Sequence, residues 1–397
     1  MEDQVTSVSI IEELPSDLIL CILKSDCLSV SDFACLETTC TTFGGIREQL
    51  HPTLKFRSLV DLAVFRLCES HPIYSCLNES RKKTLLLRMG NNWKQALNFL
   101  RSVEESSDSV QSKSGSGYIQ VTAGISFTIV LKDYSVYISG VRYLGDHLLK
   151  DHLKYHKFTL ISFDQQPLTS SYVDNIVSVS TMYNHAAFIT QSGKVFTCGN
   201  NSSGCCGHTT GGYSLKPRLV EGALKGIPCK QVAIGNKFTV FLTREGRVYT
   251  CGRNSHGQLG HGDMVDRPTP MIVESLVDCL VVQVSVGLAF TLALTSDGNL
   301  YSFGSGEDWC LGHRVEKNEL RPRLVKFFKR RNIHILRVSA GAVHVVALDS
   351  SGLVYTWGRG EVSQLCNIEY IDDFKSRETT PYLVNSLKSQ IAIQVIN

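Results

Sequence analysis

The opening residues lack a basic stretch followed by an apolar core, so no secretory signal is expected. Long apolar runs are also missing. The longest uncharged stretch, residues 279–296, is broken by Gln283, Ser285 and Gly287 and falls in register with copies of a repeat, which argues against a membrane helix. There is no Gly-Lys-Ser/Thr phosphate loop, and Gly304-Ser305-Gly306 begins a dinucleotide fingerprint that Trp309 breaks. The 14 cysteines never recur at the paired spacing of a four-ligand zinc site; Cys205, Cys206 and His208 come nearest and read as structural. Without secretion those thiols read as reduced, which points to the cytoplasm or the nucleus. No catalytic set stands out, and no metal or cofactor is expected. Strong charge of one sign is absent too. The chain of 397 residues carries only +3, but residues 1–50 hold nine acids against Lys24 and Arg47. That uneven spread suggests two segments with different partners.

What is present is a unit of about fifty residues, marked by Gly199, Gly252, Gly304 and Gly358. Each closes a matching stretch, as in Gly246-Arg247-Val248-Tyr249-Thr250-Cys251-Gly252 and Gly352-Leu353-Val354-Tyr355-Thr356-Trp357-Gly358. A divergent earlier copy ends at Gly140. The copy at 217–252 reads as four short strands: Pro217 to Val220, Gln231 to Gly235, Phe238 to Thr243 and Arg247 to Cys251, with a turn at Arg244-Glu245-Gly246. Four short antiparallel strands per unit suit a propeller blade, and the apolar spacing of three and four that helical repeats need is absent. Phe127, His185, Phe238, Phe290 and His344 share one position, and Cys198, Cys251, Phe303 and Trp357 another. Both positions read as buried, so the two histidines read as packed rings rather than general bases. Met182 stands where Gly235, Gly287 and Gly341 stand, and the first copy has Asp133-Tyr134 in place of a turn glycine.

An outer loop recurs as Gly257-Gln258-Leu259-Gly260-His261, Cys205-Cys206-Gly207-His208 and Cys310-Leu311-Gly312-His313. With the Gly-x-Val-Tyr-x-x-Gly stretches, it resembles the repeats of the regulator of chromosome condensation family over roughly residues 119–396. That resemblance implies a propeller. The strand count is 21: three in the first copy, sixteen in the next four, and two at the end (Pro381 to Val384, Ile391 to Val395). It fills five blades with one strand over, and a sixth copy begins.

Before residue 118 the pattern differs. Leu18, Ile19, Ile22 and Leu23 share a helix face with Ser16 as N-cap, and Phe33, Leu36, Cys40 and Phe43 step along a second helix that ends at Gly44-Gly45. The order Leu14-Pro15, Ile22-Leu23, Leu28, Leu36, Cys40 and Phe43 resembles the F-box over about residues 10–48. The resemblance implies docking on the Skp-family adaptor and, through it, a cullin. By motif position Leu14, Pro15, Leu18, Ile22, Leu23, Leu28, Leu36, Cys40 and Phe43 would form that contact or the small core beneath it; the plainer alternative is a helical cap on the propeller. Residues 49–103 read as a helical brace, with helix from Leu59 to Cys68, Leu85 to Met89 and Trp93 to Leu100, and residues 104–117 as a flexible linker. The expected fold is therefore α+β and multidomain: an F-box module and brace, then an all-β propeller over 118–397 with five to six blades.

The function these features imply is a non-catalytic substrate receptor of a Skp-cullin-F-box ubiquitin ligase, whose propeller binds a protein substrate that the sequence does not name. Alternatives are a guanine-nucleotide exchange factor for a small GTPase and a chromatin-binding propeller. Ultraviolet-light receptors that share the repeat rely on tryptophan clusters, which three tryptophans do not supply. Two basic clusters, Lys326 to Arg331 and Lys150 to Lys157, read as solvated loops between blades or as a face for an acidic partner; binding to a membrane or to nucleic acid is not expected.

Overall fold

The structure, a computed structural model, describes residues 32–33, 59–105, 119–124, 127–140, 158–161, 163, 174–209, 211–360, 364–366 and 377–392. Leu14, Pro15, Leu18, Ile22, Leu23, Leu28, Leu36, Cys40 and Phe43 all lie outside the described residues, as does the basic run from Lys150 to Lys157. Within the F-box-like stretch Asp32 and Phe33 are helical, and Phe33 is fully buried. The chain divides into two compact units, Met1–Asp108 and Ser109–Asn397.

The first unit is helical: α1 (Leu59–Ser70), α2 (Pro72–Ser75), α3 (Glu79–Arg88) and α4 (Trp93–Glu105). Val60, Ala63, Val64 and Cys68 of α1 are buried, as are Ala96, Leu97, Phe99 and Leu100 of α4. Trp93 packs edge-on against Phe65 at 4.6 Å and against Tyr74 at 6.2 Å. Helix α3 starts six residues before the Leu85 expected from apolar spacing. Its first turns carry Ser, Arg and Lys, so no stripe marks them; the start is set by Asn78, whose Oδ1 accepts from Arg81 N at 3.0 Å. Helix α4 runs to Glu105, two residues into the segment read as linker.

The second unit is a series of five four-stranded antiparallel sheets. The first holds β1 (Ile119–Ala123), β2 (Thr128–Lys132), β3 (Ser135–Ser139) and β4 (Thr159–Leu160). The second holds β5 (Ile176–Met182), β6 (His185–Thr190), β7 (Val195–Asn200) and β8 (Tyr213–Leu219). The third holds β9 (Cys229–Gly235), β10 (Phe238–Thr243), β11 (Val248–Gly252) and β12 (Arg267–Ile272). The fourth holds β13 (Val281–Val286), β14 (Phe290–Thr295), β15 (Leu300–Gly304) and β16 (Glu319–Leu324), and the fifth holds β17 (Ile335–Ala340), β18 (His344–Asp349), β19 (Val354–Arg359) and β20 (Arg377–Leu383).

Two sequence expectations change here. The strand containing Pro217 belongs to the preceding sheet: Leu219 pairs with Phe196, and Ser214 with Gly199. It begins at Tyr213, and its proline lies in an outer edge strand beside a bulge, where a missing N–H breaks no ladder. The first copy also gains a fourth strand, β4, from within the inserted segment, pairing Leu160 with Tyr137. Each sheet is thereby complete, and Pro381 to Leu383 becomes the end of β20 rather than the start of a new unit. Of Ile391 to Val395 only Ile391 and Ala392 are described. Ala392 N donates to Gly352 O at 3.2 Å, as Cys229, Val281 and Ile335 donate to Gly193, Gly246 and Gly298 at the start of the third, fourth and fifth sheets.

The repeat glycine has a steric cause. Gly199, Gly252, Gly304 and Gly358 have φ between +105° and +110°, and a Cβ at Gly252 would lie 2.4 Å from Lys237 O. In the first copy Asp133 and Tyr134 adopt φ of 48° and 64°, so the turn survives without glycine. The middle strands β6, β10 and β14 are buried on both faces, because each sheet is sandwiched between neighbours. Cys198, Cys251, Phe303 and Trp357 are fully buried in these layers. Val179, Val232, Val284 and Val338 are buried at their common position, but the matching Val121 is 63% exposed. No described sheet covers that flank of β1.

Candidate interaction surface

Loops between the third and fourth strands of the second, third and fourth sheets share one end of the stack with the hairpin tips. Asn200 N donates to Asn184 O at 2.8 Å, and Arg253 N to Lys237 O at 2.8 Å. A repeated polar device fixes these long loops. Thr197 Oγ1 donates to Cys206 O at 2.6 Å, Thr250 Oγ1 to Leu259 O at 2.8 Å and Ser302 Oγ to Leu311 O at 2.8 Å. The same hydroxyls lie 3.0, 3.0 and 2.9 Å from Nε2 of His208, His261 and His313. A hydroxyl has one proton, and the carbonyl takes it, so each histidine donates from Nε2–H and leaves Nδ1 as an acceptor. Burial holds all three histidines below the ordinary imidazole value, His313 at about 4, so the rings are neutral.

The loops are also fastened to the next sheet. Thr239 Oγ1 donates to Cys205 O at 2.7 Å, and Thr291 Oγ1 to Gln258 O at 2.9 Å. In the fifth sheet Val345 replaces the threonine, and Trp357 Nε1 supplies the donor to Cys310 O at 2.8 Å. His185 is buried and hydrogen-bonded to Thr239 at 3.0 Å, which accords with a packed ring; His344 is half-buried. Phe238 lies over Gly235, where a Cβ would meet its ring at 2.0 Å, so Met182 occurs in the copy in which His185 replaces the phenylalanine.

Cys205, Cys206 and His208 do not converge on a ligand position. His208 Nε2 is committed to Thr197, and the Cys205 thiol donates to Asn200 O at 2.9 Å. Among the described residues no group of three or more His, Cys, Asp or Glu could hold a metal. The Cys205 sulfur accepts from Cys206, which lowers the pKa of Cys205 and raises that of Cys206. Burial pushes Cys198 up to about 12.

Two apolar tips stand out of the loop layer, Met264-Val265 and Val315, with Met264 52% exposed. The first is held rigid. Asp263 Oδ1 accepts from Val265 N at 2.9 Å, and Arg267 Nη2 donates to Asp263 Oδ2 at 2.7 Å. Those bonds, that of Val265 first, hold the Asp263 carboxyl below its usual range. Between the second and third sheets lies a cleft of about 220 Å³ that includes Ser202, Ser203, Gly204, His208 and Asp266 in its walls. Gly204 lets the two loops meet, since a Cβ there would lie 2.2 Å from Pro268 Cα. At the opposite end, α5 (Lys326–Arg330) carries the basic cluster. Its aromatics are structural: Phe328 is buried against Trp357 at 5.9 Å, and Arg331 covers Phe327 at 3.9 Å. Lys326, Lys329, Arg330 and Arg331 are exposed.

Residues 192–242, 245–294 and 297–348 match the family described as Regulator of chromosome condensation (RCC1) repeat, and a second description of that repeat matches 176–205, 229–258, 281–308 and 335–364. The chain carries RCC1-type repeats. Human E3 ubiquitin-protein ligase HERC2 is 36% identical over 198 residues, which cover 49% of this chain and 4% of that protein. Human HERC4, a probable E3 ubiquitin-protein ligase, is 35% identical over 192 residues, 48% of this chain and 18% of that protein. A zebrafish (Danio rerio) RCC2 homolog is 33% identical over 215 residues, 49% of this chain and 43% of that protein. The chain thus spans less than half the length of these relatives. Among solved structures, human WBSCR16 superposes with a TM-score of 0.57 at 20% identity, covering 68% of this chain and 67% of that one. Prp20p from Saccharomyces cerevisiae, described with its binding to Gsp1p and histones, gives 0.55 at 20% identity, covering 67% and 62%. At that identity the two structures speak to the fold alone.

The candidate adaptor-binding residues of the first forty-three positions are brought together by no described element. The loop device and the cleft were not legible as a site. The recurring His208, His261 and His313 were the available signal, but their hydroxyl partners lie eleven residues upstream and belong to the glycine stretches.

Proposed function

We propose that this protein is a non-catalytic substrate receptor of a Skp-cullin-F-box ubiquitin ligase, acting in the cytoplasm or nucleus. The observation that carries the reading is a combination: an F-box-like order from Leu14 to Phe43, followed by RCC1-type repeats related to segments of the HERC ubiquitin ligases. In this reading the amino-terminal helices dock on the Skp-family adaptor, and a cullin joins through it. The sheets present their loop-rich end, with the rigid Met264-Val265 tip, to a protein substrate. The chain does no bond chemistry of its own; it holds the target near a charged conjugating enzyme, where effective concentration drives transfer.

The test is co-purification of the full chain with the adaptor, wild type against Leu14→Ala/Pro15→Ala/Ile22→Ala. Loss of adaptor from the triple variant is expected. Equal capture by the two would end the assignment. Comparative mass spectrometry of the same samples would report the substrate. The second reading, a guanine-nucleotide exchange factor, rests on the resemblance of the repeats. It predicts accelerated nucleotide release from a small GTPase, and a flat release curve would remove it.

A further inference from the structure

We propose that α5 and Arg331, at the end of the stack away from the long loops, form a surface that binds an acidic segment of a partner polypeptide, rich in aspartate and glutamate. Residues 320–348 contain no Asp or Glu and seven Lys or Arg: Arg321, Arg323, Lys326, Lys329, Arg330, Arg331 and Arg337. Arg323 is paired with Glu319. Lys326, Lys329, Arg330 and Arg331 are exposed, and none of the four makes an ion pair among the described residues. Lys326 stands three and four positions before Lys329 and Arg330. Like charges therefore crowd one side of a short helix and oppose its formation.

The fold does not ask for these charges. The matching connections of other sheets, Gly222–Leu224, Glu274–Leu276 and Asn385–Leu387, are single 3-10 turns. Val325 and Phe328 are buried here, as Val220 with Leu224 and Val273 with Leu276 are buried there. Packing uses those apolar anchors alone, and one sheet earlier the positions around them carry Glu274, Ser275 and Asp278. The aromatic residues order the surface. Phe327 packs against Phe328 at 5.3 Å and Tyr355 at 6.2 Å. Arg331 lies over the Phe327 ring at 3.9 Å, and its Nη1 donates to Phe327 O at 3.4 Å. A guanidinium held on a rigid ring loses little freedom on binding, and its remaining N–H groups suit a carboxylate. The four cations extend along about 8 Å of helix axis, so they match several carboxylates in a row. Phe328 is buried and Phe327 is covered by Arg331, so no ring is left to stack on a base. Glu274 and Asp278 are exposed at the same place one sheet earlier, where a phosphate backbone continuing across this end would be repelled.

The surface belongs to the sheet unit, so this inference and the adaptor reading can fail independently. The test is fluorescence anisotropy of labelled probes titrated with the full chain. The probes are a peptide of alternating aspartate and glutamate, its asparagine–glutamine counterpart and a short DNA duplex. The acidic peptide should bind, more weakly as salt rises, and the amide peptide should not. Lys326→Gln/Lys329→Gln/Arg330→Gln leaves Phe327, Phe328 and Arg331 in place. It should weaken binding of the acidic peptide about tenfold, the sum of three exposed ion pairs. Its urea midpoint should not fall, because like charges are removed. Lys132→Gln/Lys225→Gln/Lys317→Gln removes as much charge from exposed positions elsewhere and should leave the affinity unchanged. No binding of the acidic peptide, equal weakening by the two triple variants, or tighter binding of the duplex than of the acidic peptide would overturn the proposal.

Discussion

Gln283 clasps both polar ends of Val338 across the gap between the fourth and fifth sheets: its Nε2 donates to Val338 O at 2.9 Å, and Val338 N donates to its Oε1 at 3.1 Å. Gln231 does the same to Val284 at 2.9 and 3.0 Å, and Gln120 to Val179 at 2.9 and 3.0 Å. The innermost strand of a sheet has no ladder partner on its inner side, and the glutamine supplies a substitute. Gln283→Ala removes both bonds and leaves two backbone groups of a buried residue unpaired. We expect a loss of about 2 kcal/mol in urea unfolding.

Gly252 and Gly226 separate two kinds of glycine. Both have positive φ, +105° and +81°, but a Cβ would strike Lys237 O at Gly252 and meets nothing within 4 Å at Gly226. Gly226→Ala should cost about 1 kcal/mol, the strain of the left-handed backbone alone. Gly252→Ala adds a backbone clash that no rotamer relieves and should cost about 3 kcal/mol or more. Urea midpoints of the two variants test the order.

His313 gives the fold a pH dependence of known sign. Burial lowers its pKa from 6.5 to about 4, so between those values the unfolded chain binds a proton that the folded one refuses. Its contribution is complete above pH 6.5 and is lost as pH falls toward 4. The wild type should be less stable at pH 5 than at pH 7. His313→Gln, which keeps a donor for Ser302, should show a shallower loss. An identical slope in the variant would contradict this.

The thiols sort by burial. Burial pushes Cys198, Cys229 and Cys310 up to about 12, whereas Cys76 and Cys366 are exposed. Iodoacetamide at pH 8 should label Cys76 and Cys366 in the folded chain. It should reach Cys198, Cys229 and Cys310 only after denaturation, as read by peptide mass spectrometry.

Much of the sheet unit was legible because its signals are local. Alternation, a turn glycine and a second glycine needed by close backbone approach all fall within sixty residues. Phe303 and Trp357 could be placed in one buried position from spacing alone, and they are fully buried. The assignment of Pro217 was not legible. A short strand between two units has equal apolar claim on each, and only the pairing of Leu219 with Phe196 decides it. Helix α3 was half hidden for a related reason: its first turns face water, and water imposes no periodicity.

The sequence by itself determined that fifty-residue units would each form short antiparallel strands, since backbone sterics and side-chain alternation act over a few residues. Only the tertiary structure decided how the units grip one another. Trp357 replaces a threonine as donor to Cys310 because packing brings its indole to that carbonyl. His208 and Asp266 share one cleft because two loops far apart in the chain meet at Gly204. Hydrogen bonds between sheets depend on positions in space that no local pattern encodes.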